Sequence, residues 1–480
     1  MGTTIPKTAG ETTHRWLALD VLRGLSIFGM VFSAIIPTRV LPAWMSHVQN
    51  PPPSGALDMT VPGISWVDWV FPIFIFCMGV AISLAGWKKS ENKRQYFSGV
   101  FIRFLLLWAF AYLVTLLAPS GIKSGFDLTL FNVQVRAYDI QALILVGFFA
   151  MFAFYWRLKP STKSLWIRLI GACVILGLIA LFHWGYGMQV TLHRRSIIIL
   201  LLAFLYLFGS LLWYASRNSL WGRLAIFLGI IGISFLSKET GFDSWLYAQK
   251  SLRWVFNMEQ IYFLLILLPA TWVGDYMGGR LEWRGQRVIA TDSPPVGHLF
   301  YLLLGMLTLF LCFGLYIRWP EWALLSVSLS VLSLCMVIAR NSSRYSYPLI
   351  VLAAILLIVG ILFDPYEGGI KKVPATFSYC FTMGGACIIL LMFFHYICQK
   401  LPGSFFVRTF SGAGANPLMS YVIFGSFVMP VLKLTFLIGL YQAAYPSGQP
   451  WIGVLRAFVV VLFAMYLVSI MSRKGIYWRA

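Results

Sequence analysis

Fourteen stretches of this chain are apolar over roughly 17 residues or more, which is enough to cross the hydrocarbon core of a bilayer as helices. They run at about 16–36, 66–86, 100–118, 138–156, 165–186, 196–215, 220–236, 254–273, 296–317, 322–339, 347–363, 375–397, 413–440 and 451–471. The seventh and the eleventh are the weakest. Polar residues fall between the runs in short groups, with no long low-complexity tract and no visible period of about 20–50 residues. The pattern predicts an all-α fold, a polytopic transmembrane helical bundle of about 14 helices forming a single domain over residues 1–480. Asp20 and Arg23 interrupt the first run, so it reads as a retained helix and not as a cleaved signal.

Composition agrees with this pattern. The chain is 59% hydrophobic and 11% charged, where soluble domains carry about 25% charge. A soluble enzyme is therefore excluded. The formal charge of +21 is dealt out between the runs and not gathered in one polar domain, so no nucleic-acid partner is expected. With the N-terminus inside, the inner loops and tails hold 20 of the 37 Lys+Arg against 11 outside. The positive-inside rule then makes both termini cytoplasmic and the 37–65 loop extracytoplasmic. Arg194, Arg195, Lys371 and Lys372 run against that bias. The seven cysteines show no metal-site spacing, and neither disulfide nor metal is expected.

Candidate chemistry is sparse. The first outer loop carries His47, a residue type that exchanges protons near neutral pH, ahead of Pro51-Pro52-Pro53. A lone loop histidine is a weak signal, and taken by itself reads first as an exposed residue with no role. Asp20 and Arg23, three apart at the inner end of the first helix, share a face and neutralise each other, as a functional pair or as an interfacial anchor. Asp68 opens the second helix, where a carboxylate suits the N-terminus and is also near enough to orient an imidazole. Glu259 reads as an outer-interface residue, His395 as a packing histidine near an inner helix end, and Asn416 first of all as a helix cap. No P-loop, G-x-S-x-G elbow or H-E-x-x-H motif is present.

Three segments carry a resemblance. They are Leu19-Asp20-Val21-Leu22-Arg23-Gly24-Leu25-Ser26, then Val67-Asp68-Trp69-Val70-Phe71-Pro72 running on to Gly79 with His47 in the loop between, and Gly414-Ala415-Asn416-Pro417-Leu418-Met419-Ser420-Tyr421. With Arg473-Lys474-Gly475-Ile476-Tyr477-Trp478 at the far end, the chain resembles the heparan-α-glucosaminide N-acetyltransferase family, while its middle matches by hydropathy alone. The resemblance implies a transmembrane acetyltransferase that takes acetyl from cytoplasmic acetyl-CoA and delivers it to an extracytoplasmic amino sugar. It implies a core of about ten helices, so that the fourteen runs fit as that core plus two inserted pairs, near 196–236 and 322–363. It also makes His47 the catalytic histidine.

The chain departs from the family in three places: the segment between His47 and Asp68 is longer than usual, Ser33 stands where an asparagine is usual, and Ile140-Gln141-Ala142 replaces Leu-Gln-Arg. Arg136 is close enough to stand in for the missing cation. Acetyl transfer to an amine needs a proton acceptor and stabilisation of a tetrahedral oxyanion. His47 would accept the proton or carry the acetyl group, and Asp68 or Asp20 would hold its second nitrogen. Asn416 or Ser33 would hydrogen-bond the thioester oxygen, and Arg23, Arg103, Arg168 and Arg136 are the cations near acetyl-CoA. The expected setting is the bilayer of a bacterial cytoplasmic membrane, and a homodimer is compatible with it. Two rivals are an O-acetyltransferase of a surface glycan and a transporter or flippase of a lipid-linked sugar.

Overall fold

The computed structural model describes residues 16–118, 137–156, 161–249, 256–283, 286–287, 297–342, 346–446 and 448–479. Among them, 13 helices are long and apolar enough to cross a membrane. The fourth expected span is a helix at Ala137–Tyr155 whose apolar part, Ile140–Tyr155, is shorter. The chain is thus an integral, multi-pass, all-helical membrane protein. We call the side of the N-terminus the inner side.

Helix ends follow local chemistry. Ser65 and Asp68 form a capping box at the head of the second span, Trp66–Lys89, satisfying donors that the first helical turn leaves orphaned. Thr376 caps the twelfth span, Phe377–Lys400, through the N–H of Tyr379. The first span, Leu17–Ile35, together with the second, the eighth and the twelfth, is buried along most of its length, whereas the third, fifth, seventh and tenth turn mainly outward to lipid.

Two expected spans are broken. The eighth begins at Glu259, later than its apolar run suggested, and changes from Glu259–Tyr262 to Leu264–Met277 at Phe263. The thirteenth is not one helix over 413–440. It divides into Phe405–Gly414, Pro417–Ile423, a π-helical turn Phe424–Val428, Met429–Leu434 and Leu437–Ala443. Pro417 causes the first break: it lacks an N–H and disfavours helical geometry at the residue before it, and Asn416 accordingly sits at φ −126°, ψ 60°. Before this break the chain crosses the first span at backbone contact. A Cβ on Gly414 would lie 1.9 Å from the Asp20 carbonyl oxygen, and one on Gly24 would lie 2.0 Å from that of Phe410. Only glycine fits at either position.

At the outer side, the 37–65 loop is folded against the 364–376 loop. Gln49 donates its amide to the Val373 carbonyl (2.5 Å) and accepts the Val373 N–H (2.9 Å). Gly63 donates its N–H to the Ile370 carbonyl at 2.7 Å. The 364–376 loop is itself pinned: Asp364 takes two bonds from Arg318 (3.0 and 2.9 Å), and Glu367 accepts the N–H groups of Phe377 and Ser378. Leu41 and Met45 pack into a small apolar cluster with Phe32, Ile36 and Ala457.

Candidate functional site

His47 follows a short 3₁₀ turn, Ala43–Met45, and its Nδ1 lies 2.6 Å from Asp68 Oδ1. The other carboxylate oxygen, Oδ2, accepts the Ser65 N–H (3.0 Å), the Val48 N–H (3.3 Å) and the Ser65 hydroxyl (3.3 Å). Asp68 is thus the hub that ties the histidine loop to the helix head. Its own carbonyl accepts the buried Tyr379 hydroxyl at 2.7 Å. An ionised carboxylate only accepts hydrogen bonds, so Nδ1 carries the proton and the lone pair lies on Nε2. The Asp68 side chain is 3% exposed and that of His47 39%. The carboxylate is sealed while the imidazole remains accessible.

A third residue completes the group. Lys372 Nζ lies 3.3 Å from His47 Nδ1 and 3.6 Å from Asp68 Oδ1. Burial pushes the Lys372 ammonium below the usual lysine value of 10.5, with Asp68 opposing the shift. Lys372 is 325 residues from His47, and no local motif announces it. The available signal was its place on the outer side, against the general bias of basic residues.

The second feature opens at the inner side. A cavity of about 860 Å³ runs between the first, second, third and sixth spans and the broken thirteenth, from Trp16 and Lys89 up to Met30 and Phe74. That volume is in the range of small-molecule and cofactor sites. Arg23, Lys89, Arg103 and Arg479 line it, with Asp20 as the acidic member. Arg103 lies over the Tyr206 ring at 4.6 Å. Phe74 is six residues from Asp68 on one helix, about 9 Å at a rise of 1.5 Å per residue. The cavity thus approaches the outer histidine group from below. The sixth span, half of one pair expected as an insertion, walls this cavity through Ile199, Leu202 and Tyr206.

Several expected roles change. Asp20 does not hold His47; it lies 3.3 Å from Arg23 at the opposite end of the first helix, about 22 Å of helix from the outer terminus. Arg23 also donates to the carbonyls of Gly414 (3.2 Å) and Cys77 (3.4 Å), joining three spans. Asn416 does not cap its helix. Its amide donates to the Ile476 carbonyl (3.1 Å) and its oxygen accepts the Trp478 N–H (3.0 Å), clamping the C-terminal segment. It is fully buried and committed there, which removes it from thioester binding. Ser33 lies toward the outer end, bonded to its own helix at Met30, and does not line the cavity. Arg168 is exposed and donates to the Trp156 carbonyl at 3.4 Å, away from the cavity wall. Arg136 lies outside the described residues. His395 is near the inner end of the twelfth span, 2.9 Å from the Gln399 amide nitrogen. No three His, Cys, Asp or Glu side chains gather as metal ligands among the described residues.

Sequence reasoning also missed a buried pair. Asp275 accepts from Arg223 Nη2 at 2.7 Å and from the indoles of Trp87 (2.6 Å) and Trp213 (3.1 Å), with its side chain wholly buried. Each partner was visible as a charge at the edge of an apolar run.

A family model described as a domain of unknown function, DUF5009, matches residues 15–277. The chain belongs to the DUF5009 family. The matched DUF5009 segment holds His47, Asp68, Arg23, Arg103 and the Arg223–Asp275 pair, while Lys372, Tyr379 and Asn416 lie beyond it. No curated protein matches the chain.

Proposed function

We propose that this protein is a transmembrane acetyltransferase that moves an acetyl group from cytoplasmic acetyl-CoA to an amino sugar on the outer side of a bacterial cytoplasmic membrane. One observation carries the reading: an accessible His47 held by a buried carboxylate at the outer side, above a basic cavity that rises from the inner side. The family resemblance in the sequence supplies the acetyl donor and the acceptor class.

The chemistry assigned to these residues is as follows. The amine nitrogen attacks the thioester carbonyl while His47 Nε2 takes its proton. The tetrahedral oxyanion collapses, the C–S bond breaks, and the imidazolium returns its proton to the CoA sulfur. Transfer through an acetyl-imidazole starts from the same Nε2 lone pair. Asp68 fixes the tautomer and stabilises the imidazolium, as in other His–Asp pairs. Lys372 supplies positive charge next to the oxyanion. Arg103 and Arg23 face the phosphates of CoA.

Arg103→Gln is expected to weaken acetyl-CoA binding about 10- to 100-fold, the value of one hydrogen bond to a charged group. Equilibrium binding of labelled acetyl-CoA in nanodiscs measures it. Saturable binding that ignores Arg103 would remove the phosphate from this cavity wall.

The pH profile tests Lys372. The folded protein holds this proton more weakly than the unfolded chain, so stability rises with pH between the lowered folded value and 10.5. Activity should instead fall in that window, as the ammonium is lost. Lys372→Arg keeps its charge to higher pH and is expected to shift the alkaline fall of kcat upward. Identical alkaline limbs in both proteins would free Lys372 from this role.

The break at Ala415–Asn416 borders the cavity, and discontinuous spans are also how transporters build midplane sites. That observation favours a lipid-linked-sugar transporter as the second reading. Release of free CoA thiol on addition of glucosamine separates the two, and N-acetylglucosamine as acceptor separates amine from hydroxyl transfer.

A further inference from the structure

A smaller cavity, about 240 Å³, lies at the inner ends of the second, sixth, seventh and eighth spans. Arg217, Arg223 and Arg280 line it, with Trp87 and Trp272 among its walls. Among the described residues one acidic group meets this cluster, Asp275, and it is already satisfied by Arg223 Nη2 and two indoles. Arg223 Nε and Nη1 are buried with no hydrogen-bond partner among the described residues. Arg217 and Arg280 have no carboxylate partner among those residues either. Arg217 stacks on Tyr214 at 3.8 Å and donates to its carbonyl, and Arg280 lies over the Trp87 ring at 5.6 Å. Among the described residues, three guanidinium groups against one carboxylate leave a local excess of two positive charges.

Such an arrangement is costly when empty of anions. Buried guanidinium donors without partners carry the desolvation penalty of a charged group. The seventh span, Leu220–Glu239, begins at this cavity, and the positive end of its dipole adds to the field. We propose that the cavity binds a phosphate group. The volume is below the roughly 300 Å³ at which cofactor-sized sites begin, so it suits a phosphate with a small substituent and not a nucleotide. A phospholipid headgroup of the inner leaflet and a free phosphate share this chemistry. Beside the opening, Leu220 and Trp221 are 61% and 78% exposed, an apolar and an aromatic side chain at the level where such residues meet lipid headgroups.

The test compares thermal unfolding of the wild type and Arg217→Gln/Arg280→Gln, which leaves the buried Arg223–Asp275 pair intact. One arm adds phosphatidylglycerol to lipid-free micelles of a phosphate-free detergent, and the other adds inorganic phosphate to the same micelles. The wild type is expected to gain roughly 2 °C or more from the anion, and the double variant to lose most of that gain. A response in the lipid arm alone assigns a headgroup, and a response to inorganic phosphate assigns a site that a free anion can fill. Arg168→Gln, at an exposed position that lines neither cavity, should keep the full response. No shift in the wild type, an equal shift in the double variant, or loss of the shift in Arg168→Gln overturns the site. Should the double variant fail to fold, Arg280→Gln alone, at an exposed position, is read in the same way.

Discussion

His47→Ala is expected to lower turnover by about 10² to 10⁴, the usual worth of a positioned general base, while acetyl-CoA still binds. The reasons are geometric. Nε2 is the nitrogen not bound by Asp68 in a partly exposed imidazole whose Nδ1 that carboxylate holds at 2.6 Å. The basic cavity that would receive acetyl-CoA is lined by other residues, so its affinity should change little. The loop should also stay in place, because Gln49, Gly63 and Ser65 anchor it independently of the imidazole. His395→Ala should cost far less, since that side chain sits near the inner end of the twelfth span beside Gln399. Single-turnover assays read both. A near wild-type rate in His47→Ala, with a large loss in His395→Ala, would move the active centre into the membrane.

Asp68→Asn is expected to cost a factor of the same order, although it changes one atom. Oδ2 accepts two backbone N–H groups, from Ser65 and Val48. In the asparagine variant those donors hold the remaining oxygen on their side, which turns the NH₂ toward His47. Nδ1 must then accept a hydrogen bond, the proton moves to Nε2, and the lone pair needed for proton abstraction disappears. Comparable His–Asp pairs lose up to about 10⁴ in kcat on this change. The helix cap survives, so folding should be retained. Since both residues act as one unit, Asp68→Asn/His47→Ala should be no slower than His47→Ala alone. Losses that multiply in the double variant would show that Asp68 acts apart from His47.

The spans were legible because about 20 apolar residues in a row leave the backbone little choice but a membrane helix. The breaks were less so. Hydropathy sums over 413–440 pass across Pro417 without registering that it ends one helix and starts another, though the Asn416-Pro417 pair is itself a turn signal. Asp68 was legible twice, as a helix-head carboxylate and as a partner for the loop histidine, and it does both. Asn416 was misassigned because a motif gives sequence neighbours, while its partners, Ile476 and Trp478, come from elsewhere in space. Asp20 pairs with Arg23 as their spacing suggested, and its alternative role beside His47 fails because it sits at the inner end of the first helix. Lys372 was hidden by distance in sequence, since the 364–376 loop is brought to the site by the bonds of Val373 to Gln49 and of Ile370 to Gly63.

The most direct measurement uses sealed vesicles with the N-terminal side exposed to acetyl-labelled acetyl-CoA and glucosamine enclosed on the other side. Free CoA thiol should appear on the acetyl-CoA side in step with labelled N-acetylglucosamine inside, and His47→Ala should produce neither. Glucosamine crossing the membrane with no thiol released, or acetylation that requires both substrates on one side, would contradict transfer across the bilayer.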